Sequence, residues 1–146
     1  STAEQAILIV VSYTHPFLRF PKGQVETILR RVFRGEGVRN FPDISVVFTD
    51  DKHIRTLNKK YLKHNYSTDV LSFPLSDEFC KCAEVYINLD AGRRQACEYG
   101  VPFLREVQRL LIHGALHLLG YEDGTNIERA RMREREDYYL AKLIKK

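Results

Sequence analysis

The sequence predicts a single α/β (α+β) domain, in which a small mixed sheet of four strands packs against about five helices. The length of 146 residues suits one domain. Apolar runs of strand length alternate with segments of helical period, and two of the runs follow each other in the middle of the chain. Hydrophobic residues make up 44% and charged residues 29%, values that exclude general disorder, a fibre and a membrane bundle. Residues 1–146 are therefore predicted to form one domain.

Four short apolar runs are the predicted strands. Residues 6–11 are continuously apolar and β-branched, which is typical of a strand buried on both faces. The other strands are predicted at residues 44–48, 69–73 and 84–88. Residues 74–83 are predicted to form a loop or hairpin connection.

Five segments carry apolar residues at helical spacing. The first three are residues 24–34, a helix that follows a cap at 49–51 and has Ile54, Leu57 and Tyr61 as its apolar positions, and a helix that begins at Asn88 or Asp90 and ends at Cys97. The last two are residues 102–119 and 127–146. Pro102 is tolerated near a helix start because its missing N–H would have no partner there. Gly35, Gly100 and Gly120 are predicted to end helices.

Charge and cysteine content narrow the class of protein further. Lys plus Arg number 23 against 19 for Asp plus Glu, and the net charge of +4 permits a polyanionic partner such as RNA. Three cysteines, two of them spaced C-x-C, are predicted to be free thiols in a reducing, cytoplasmic environment. The longest apolar run has six residues, too short for a membrane span or a signal peptide.

The most informative segment is residues 110–119, where seven of ten residues are apolar and only His113 and His117 are polar. A helical segment that is apolar on all sides is buried on all sides. Histidines four residues apart lie on one helix face, about 6 Å apart along the axis, so their ring nitrogens can converge. A divalent cation accepts a lone pair from each ring. The pair therefore predicts metal ligands, and the alternative is two satisfied core histidines.

Asp123 follows this pair at a distance that allows a third ligand. Gly120 can adopt the left-handed conformation that lets the chain turn back after the helix. Two imidazoles and one carboxylate with an open position form a hydrolytic zinc site, so the predicted ligands are His113, His117 and Asp123. Two alternatives remain, namely Glu122 as the ligand and Asp123 as a turn residue.

Two blocks of the sequence resemble the YbeY family of endoribonucleases. The blocks are His-Gly-Ala-Leu-His-Leu-Leu-Gly-Tyr at 113–121, and Leu-Asn-Lys-Lys-Tyr at 57–61 followed by Thr-Asp-Val-Leu-Ser-Phe-Pro at 68–74. The resemblance covers nearly the whole chain and implies a metal helix packed on a small mixed sheet. It also implies zinc as the metal, with His113 and His117 as ligands. The implied activity is cleavage of single-stranded RNA, notably the small-subunit ribosomal RNA precursor, with ribosomal proteins as candidate partners.

The chain departs from the family's pattern at three positions. The family's motif ends Gly-Tyr-Asp-His with the final His as third ligand, whereas Asp123 stands here. A carboxylate is harder than imidazole and anionic, so metal preference and the acidity of a bound water change. The family usually has an Arg, thought to contact RNA phosphate, where Leu62 stands, and a Pro where Ser67 stands. The phosphate contact must therefore pass to Lys63 or to another residue, or be lost.

Further residues are predicted to act around the metal. Thr68, Asp69 and Ser72 lie at a strand edge where they can line a cleft; alternatively, Thr68 and Asp69 fix a turn. Glu122 is the candidate proton carrier, with a solvated turn carboxylate as its alternative. Basic residues can follow an RNA backbone or be ordinary solvated helix faces. They are Lys59, Lys60, Lys63, His64, Arg93, Arg94, Arg105 and Arg109.

The charged C-terminal helix is predicted to be a salt-bridged surface or a protein-binding face rather than an RNA site. Its arginines and its acids offset one another in charge. They are Arg129, Arg131, Arg133 and Arg135, with Glu134, Glu136 and Asp137.

Three functions compete at this point. The first is a zinc endoribonuclease, the second a metal-dependent hydrolase of another substrate, and the third a ribosome-associated binding module of weak or no catalysis. Gly114 argues against a peptidase, because H-E-x-x-H metalloproteases carry a general-base Glu at that position. The number of metal ligands distinguishes a catalytic site from the binding module, because a structural zinc site is closed by four protein ligands and a catalytic site keeps a position for water.

Overall fold

A computed structural model describes residues 8–63, 67–74 and 82–144. These residues form one four-stranded mixed sheet and five helices. The strands are β1 (Ile9–Tyr13), β2 (Asp43–Thr49), β3 (Val70–Phe73) and β4 (Cys82–Asn88). The helices are α1 (Lys22–Gly35), α2 (Asp51–Leu62), α3 (Leu89–Tyr99), α4 (Phe103–Leu118) and α5 (Asn126–Ile144). His64, Cys80 and residues 75–81 of the predicted connection lie outside the described residues.

The sheet has the order β1-β2-β4-β3 and confirms the predicted mixed topology. β1 runs parallel to β2, β2 runs parallel to β4, and β3 runs antiparallel to β4. The carboxyl ends of the three parallel strands therefore meet at one edge, where the start of β3 also lies. This edge positions Asp69 and Asn88 close to each other, and the Asn88 N–H donates to the Asp69 carbonyl at 2.8 Å.

The prediction that the first strand is buried on both faces is wrong. β1 lies at one edge of the sheet, and its burial alternates, with Val10 51% exposed. Ile9, Val11 and Tyr13 pack against the core from one face. A continuous apolar run predicts two covered faces, but the fold here covers one, because the helices that build the core pack on the same side of the sheet.

α4 is the helix around which the core is built. Its Leu110, Leu111 and Ile112 have no exposed surface. The sheet side of the helix carries Gly114, and a Cβ there would lie 2.8 Å from Val85 Cγ1. Only a residue without a side chain lets the helix approach the sheet this closely, which confirms the predicted burial of this helix against the sheet.

Local capping explains where two helices begin. Asp50 accepts a hydrogen bond from the His53 N–H at 2.9 Å and caps α2. Asn88 is the residue that opens α3, because its side chain accepts from the N–H groups of Asp90 and Ala91.

Tyr61, predicted to face inward on α2, is instead 57% exposed and packs edge-on against Phe73, because the neighbouring sheet face is only partly covered.

In the described part of the chain, none of the helices combines the length and the apolarity that crossing a membrane requires.

Candidate metal centre

Two imidazoles converge on the last turns of α4. The Nε2 atoms of His113 and His117 lie 3.0 Å apart, and the ring centroids are 4.6 Å apart in an edge-to-face arrangement. This is the arrangement that a spacing of four residues on one helix face allows. Both side chains are partly buried, with 17% of His113 and 25% of His117 exposed.

The loop after α4 brings a carboxylate to the same point. Gly120 has a φ of +99°, and the Tyr121 N–H donates to the Leu116 carbonyl as the chain turns back. Asp123 Oδ2 then lies 3.3 Å from the Nε2 atoms of both His113 and His117. One ligand atom from each of the three residues lies within 4.8 Å of the others, a spacing that could hold a metal ion.

Glu136 of α5 fixes the orientation of the His113 ring. Its Oε2 lies 2.5 Å from His113 Nδ1, and the residue is only 4% exposed. A carboxylate at Nδ1 favours the tautomer with the proton there, so Nε2 presents its lone pair towards His117 and Asp123. Glu136 is therefore buried and paired inside the fold, and for this residue the prediction of a salt-bridged surface or a protein-binding face is wrong.

Arg109 fixes the position of the Glu136 carboxylate through the oxygen that does not contact His113. Its Nη1 donates to Glu136 Oε1 at 3.1 Å, and its guanidinium also pairs with the buried Glu106 on the same helix. A third bond, of 3.4 Å, reaches Gln95 Oε1 on α3. Gln95 in turn donates to Asp69 Oδ2 at 3.2 Å, so the chain of contacts leads from His113 through three helices to the start of β3.

The charges around His113 raise its pKa. Burial alone would lower the pKa of this imidazole, but the hydrogen bond with Glu136 and the negative charges of Glu136, Asp69 and Asp123 raise it. The same acids that favour a protonated ring favour a bound cation, because both place a positive charge at the same point.

A second anchor holds the loop that carries Asp123. Glu36, next to the end of α1, accepts hydrogen bonds from Tyr121, Arg135 and Tyr139. Burial alone would raise the pKa of Glu36, but these three donors lower it. Tyr121 lies two residues before Asp123, so the hydrogen bonds of Glu36 connect the loop that carries Asp123 to both α1 and α5.

The predicted cleft residues have structural contacts close to the centre. Ser72 donates from Oγ to the Gly114 carbonyl at 3.0 Å and braces α4 against β3. Asp69 binds Gln95, as described above, and the Thr68 carbonyl accepts from Asn88 Nδ2 at 3.0 Å. The Asp69 bond joins two side chains and the Thr68 bond uses its main-chain carbonyl, so neither is the side-chain to backbone bond of the turn-fixing alternative, which stays a prediction. Contact with a substrate stays a prediction for all three.

The other predicted residues lie at different distances from the cluster. Glu122 is exposed beside Asp123 and lines a surface pocket of about 310 Å³ together with Tyr121 and Arg131. Lys63 is exposed and ends α2 in the left-handed conformation, with a φ of +59°. Nothing in the described contacts joins Lys63 to the cluster, so its contact with RNA stays a prediction.

Two arginines predicted to follow an RNA backbone are paired with acidic side chains of the protein, Arg109 in a partly buried position and Arg94 in an exposed one. Arg109 forms salt bridges with Glu106 and Glu136. Arg94 forms a bidentate salt bridge with Asp51, with N–O distances of 2.7 and 3.0 Å. Lys59, Lys60 and Arg93 are exposed, and Arg105 is half-buried.

The sequence held a signal for the residues that the prediction missed. Glu136 falls in the inward-facing stripe of α5, four residues after Met132 and three before Tyr139, both of which are buried. Glu106 falls in the same way beside Val107 on α4. A carboxylate in an apolar stripe must be paired inside the fold, because an unpaired buried charge is costly.

The donor set fits a zinc-like divalent ion. Two imidazole nitrogens and a carboxylate oxygen are borderline and hard donors of the kind that zinc takes, and Glu136 supplies the partner that a ligating histidine usually has on its other nitrogen. In the part of the chain that the structure describes, the cluster has three donors, one fewer than a closed structural site.

Comparisons with known proteins show the family and the fold of this chain. The family model of the endoribonuclease YbeY matches residues 19–144. A YbeY endoribonuclease of Aquifex aeolicus is 41% identical over 128 residues, which cover 85% of each chain. One of Salinibacter ruber is 35% identical over 139 residues, covering 89% of this chain and 88% of the relative.

A solved structure shows the same fold. The solution structure of a Thermotoga maritima protein matches with a TM-score of 0.60 over 91% of this chain and 87% of the other, at 24% sequence identity. The family model covers far more than half of the chain, and the relatives are similar along nearly their whole length. This chain belongs to the YbeY endoribonuclease family.

Proposed function

We propose that this chain is a zinc-dependent endoribonuclease that cleaves single-stranded RNA, with the small-subunit ribosomal RNA precursor as its cytoplasmic substrate. Family membership supports an endoribonuclease, because the curated relatives carry that name. The cluster of His113, His117 and Asp123 is the observation that carries the metal-dependent part. Ribosomal proteins are the partners that follow from a role in ribosome biogenesis.

His113, His117 and Asp123 would hold the ion in this proposal. An ion held by these residues would supply Lewis acidity at a phosphoryl oxygen and would make a bound water more acidic. The Asp123 carboxylate adds a negative charge that a third imidazole would not, which reduces the net charge of the centre. Glu136 keeps the Nε2 atom of His113 pointed at the other two ligands.

Glu122 and Lys63 complete the proposal with different tasks. Glu122 is exposed one residue before Asp123, where a carboxylate can accept or deliver a proton at the scissile phosphate. Arg131 lines the same pocket as Glu122 and offers a guanidinium to a phosphate. Lys63 is the proposed replacement for the family's phosphate-binding arginine, because Leu62 stands at that position.

The test measures metal content and cleavage of a labelled single-stranded RNA by the wild type, His117→Ala and Asp123→His. We expect the wild type to bind about one equivalent of zinc and cut the RNA, and His117→Ala to lose both. Asp123→His should keep both, since imidazole is also a zinc ligand. His53→Ala, on α2, is the matched control that removes a histidine elsewhere and should leave zinc content and cleavage unchanged.

Two results would contradict the proposal. If His117→Ala cuts RNA as fast as the wild type, the metal cluster does not carry the activity. If the wild type neither binds zinc nor cuts while Asp123→His does both, the chain is a binding module that has lost its catalysis.

A further inference from the structure

A groove between α1 and α5 lies apart from the metal cluster. It has a volume of about 580 Å³ and shares none of its lining residues with the three candidate ligands. Its lining residues are Thr27, Arg30, Arg31, Arg34, Gly35, Tyr138, Tyr139 and Lys142. Gly35 lets the two helices close on each other, because a Cβ there would overlap the Tyr139 ring.

The groove is strongly cationic. Among the described residues, half of the eight that line it are Arg or Lys and none is acidic. Glu26, which does not line the groove, pairs with Arg30 at 3.4 Å and offsets one of the groove's four positive charges. Glu36 lies near the groove and is committed to Tyr121, Arg135 and Tyr139. An anionic partner is therefore the chemistry that this surface fits.

The two helices present these cations in a fixed arrangement. Arg31 Nη1 donates to the main-chain carbonyl of Lys142 at 3.1 Å, which joins α1 to the end of α5. Arg30 and Arg34 are four residues apart and lie on one face of α1, about 6 Å apart along the axis. Guanidinium groups bind phosphate in a bidentate manner, so this row suits a chain of phosphates.

An exposed aromatic ring favours a nucleic acid over an acidic peptide. Tyr138 is 45% exposed, and the Arg135 guanidinium and Lys142 ammonium lie 4.5 and 4.7 Å from its ring centroid. Surfaces that bind single strands combine a cationic track with aromatic rings on which bases stack. Tyr138 lies on α5, as Glu136 does. Lys142 lies about 9 Å further along the axis of this helix than Glu136.

We propose that the α1–α5 groove binds the phosphate backbone of single-stranded RNA at a distance from the bond that is cut. The inference rests on the proposed function for the identity of the anion. It goes beyond the metal centre, because it assigns substrate affinity to a surface that shares none of its lining residues with the three candidate ligands. Binding here would hold a long RNA while a short stretch of it reaches the centre.

The test measures binding separately from cleavage. Fluorescence anisotropy follows a labelled single-stranded RNA of about 20 nucleotides in the presence of EDTA, which removes the ion that the proposed cleavage needs. The variant Arg30→Gln/Arg34→Gln/Lys142→Gln leaves Arg31 and its link to α5 in place. We expect about tenfold weaker binding at 100 mM salt, and a slope of log affinity against log salt that is smaller by about 2, since each phosphate contact on a single strand contributes ~0.7.

A matched control removes three positive charges elsewhere. Lys52→Gln/Arg55→Gln/Arg133→Gln changes exposed residues of α2 and α5 that do not line the groove, and it should weaken binding less than twofold. Tyr138→Ala provides a second variant, whose expected effect is a weaker binding with an unchanged salt slope. Circular dichroism and thermal melting establish that each variant is folded.

Three outcomes would overturn the inference. The groove variant and the control can weaken binding equally, which would mean that net charge alone sets affinity. The groove variant can bind RNA as the wild type does. It can also lose binding to a labelled polyglutamate while keeping RNA, which would assign the groove to an acidic protein. A wild type that binds the RNA through this groove but cuts no RNA would overturn only the proposed catalysis.

Discussion

At the scale of single residues, the orientation of His113 depends on Glu136. The carboxylate is buried, bonded to His113 Nδ1 at 2.5 Å and held by Arg109 at 3.1 Å. Groups that hold the second nitrogen of a ligating histidine affect metal affinity without touching the metal. Glu136 is thus a positioning residue in the proposed centre.

Replacing Glu136 by Gln tests this role. The amide keeps the shape of the side chain but loses the charge that stabilises the bound cation, so zinc affinity should fall about 10- to 100-fold. Competition with a chromophoric chelator measures the affinity without any cleavage assay. Glu134→Gln changes an exposed carboxylate on the same helix and should have no effect. Equal zinc affinities for Glu136→Gln and the wild type would contradict the assignment.

Gly114 tests how closely α4 must approach the sheet. A Cβ at this position would lie 2.8 Å from Val85 Cγ1, 3.1 Å from Val70 Cγ1 and 3.3 Å from Ser72 Oγ. Gly114→Ala should therefore lower the free energy of unfolding by about 1–3 kcal/mol through overpacking, although alanine favours the helix. Urea denaturation measures the change. In the control Gly23→Ala, a Cβ meets nothing within 4 Å, and stability should be equal or higher.

At the scale of elements, one buried amide joins the beginning of α3 to two other segments. Asn88 has no exposed surface, and its Oδ1 accepts from the N–H groups of Asp90 and Ala91. Its Nδ2 donates to Asp51 at 2.7 Å and to Ser67 at 3.1 Å. The residue is both a helix cap and a tie between α2, α3 and the chain before β3.

Removing this amide should therefore cost more than removing a simple cap. Asn88→Ala leaves several buried polar groups without their partner, and we expect a loss of at least about 2 kcal/mol in the free energy of unfolding. Asp50→Ala removes the single bond that caps α2, to the His53 N–H, and should cost about 1 kcal/mol. Thermal or chemical denaturation compares the two. Equal losses would mean that the additional bonds of Asn88 contribute nothing.

At the scale of the whole molecule, two carboxylates outside the metal cluster link distant elements and make stability depend on acid. Hydrogen bonds from Arg94, Asn88 and Ser67 hold the pKa of Asp51 far below its usual range, against the effect of burial. The pKa of Glu36 is also lowered, by Tyr121, Tyr139 and Arg135, although burial opposes the shift. A carboxyl group with a lowered pKa in the folded state stabilises the protein above its unfolded pKa, and this contribution is lost as the pH falls through the folded pKa.

We therefore expect the melting temperature to fall steeply as the pH decreases below about 4, where carboxylates of unfolded chains begin to bind protons. Glu36→Gln should be less stable than the wild type at pH 7, and the difference should shrink as the pH falls below this value. Melting curves between pH 2 and 7 test the expectation. Glu26→Gln, which removes the exposed partner of Arg30, is the control. A difference between Glu36→Gln and the wild type that stays constant over this range would contradict it.

The sequence by itself determined the class of fold, the order of the elements and the pairing of the two histidines in the candidate centre. These follow from local rules, since apolar period, caps and a spacing of four residues act over one or two helical turns. Whether strand β1 is covered on one face or both, and that Glu136 of α5 lies on His113 of α4, depends on how distant elements pack. The apolar stripe around Glu136 indicates from the sequence that this carboxylate is paired inside the fold, but it does not identify the partner. Only the tertiary structure, which brings separate helices together, places Glu136 on His113, gives Glu36 its three donors and forms the α1–α5 groove.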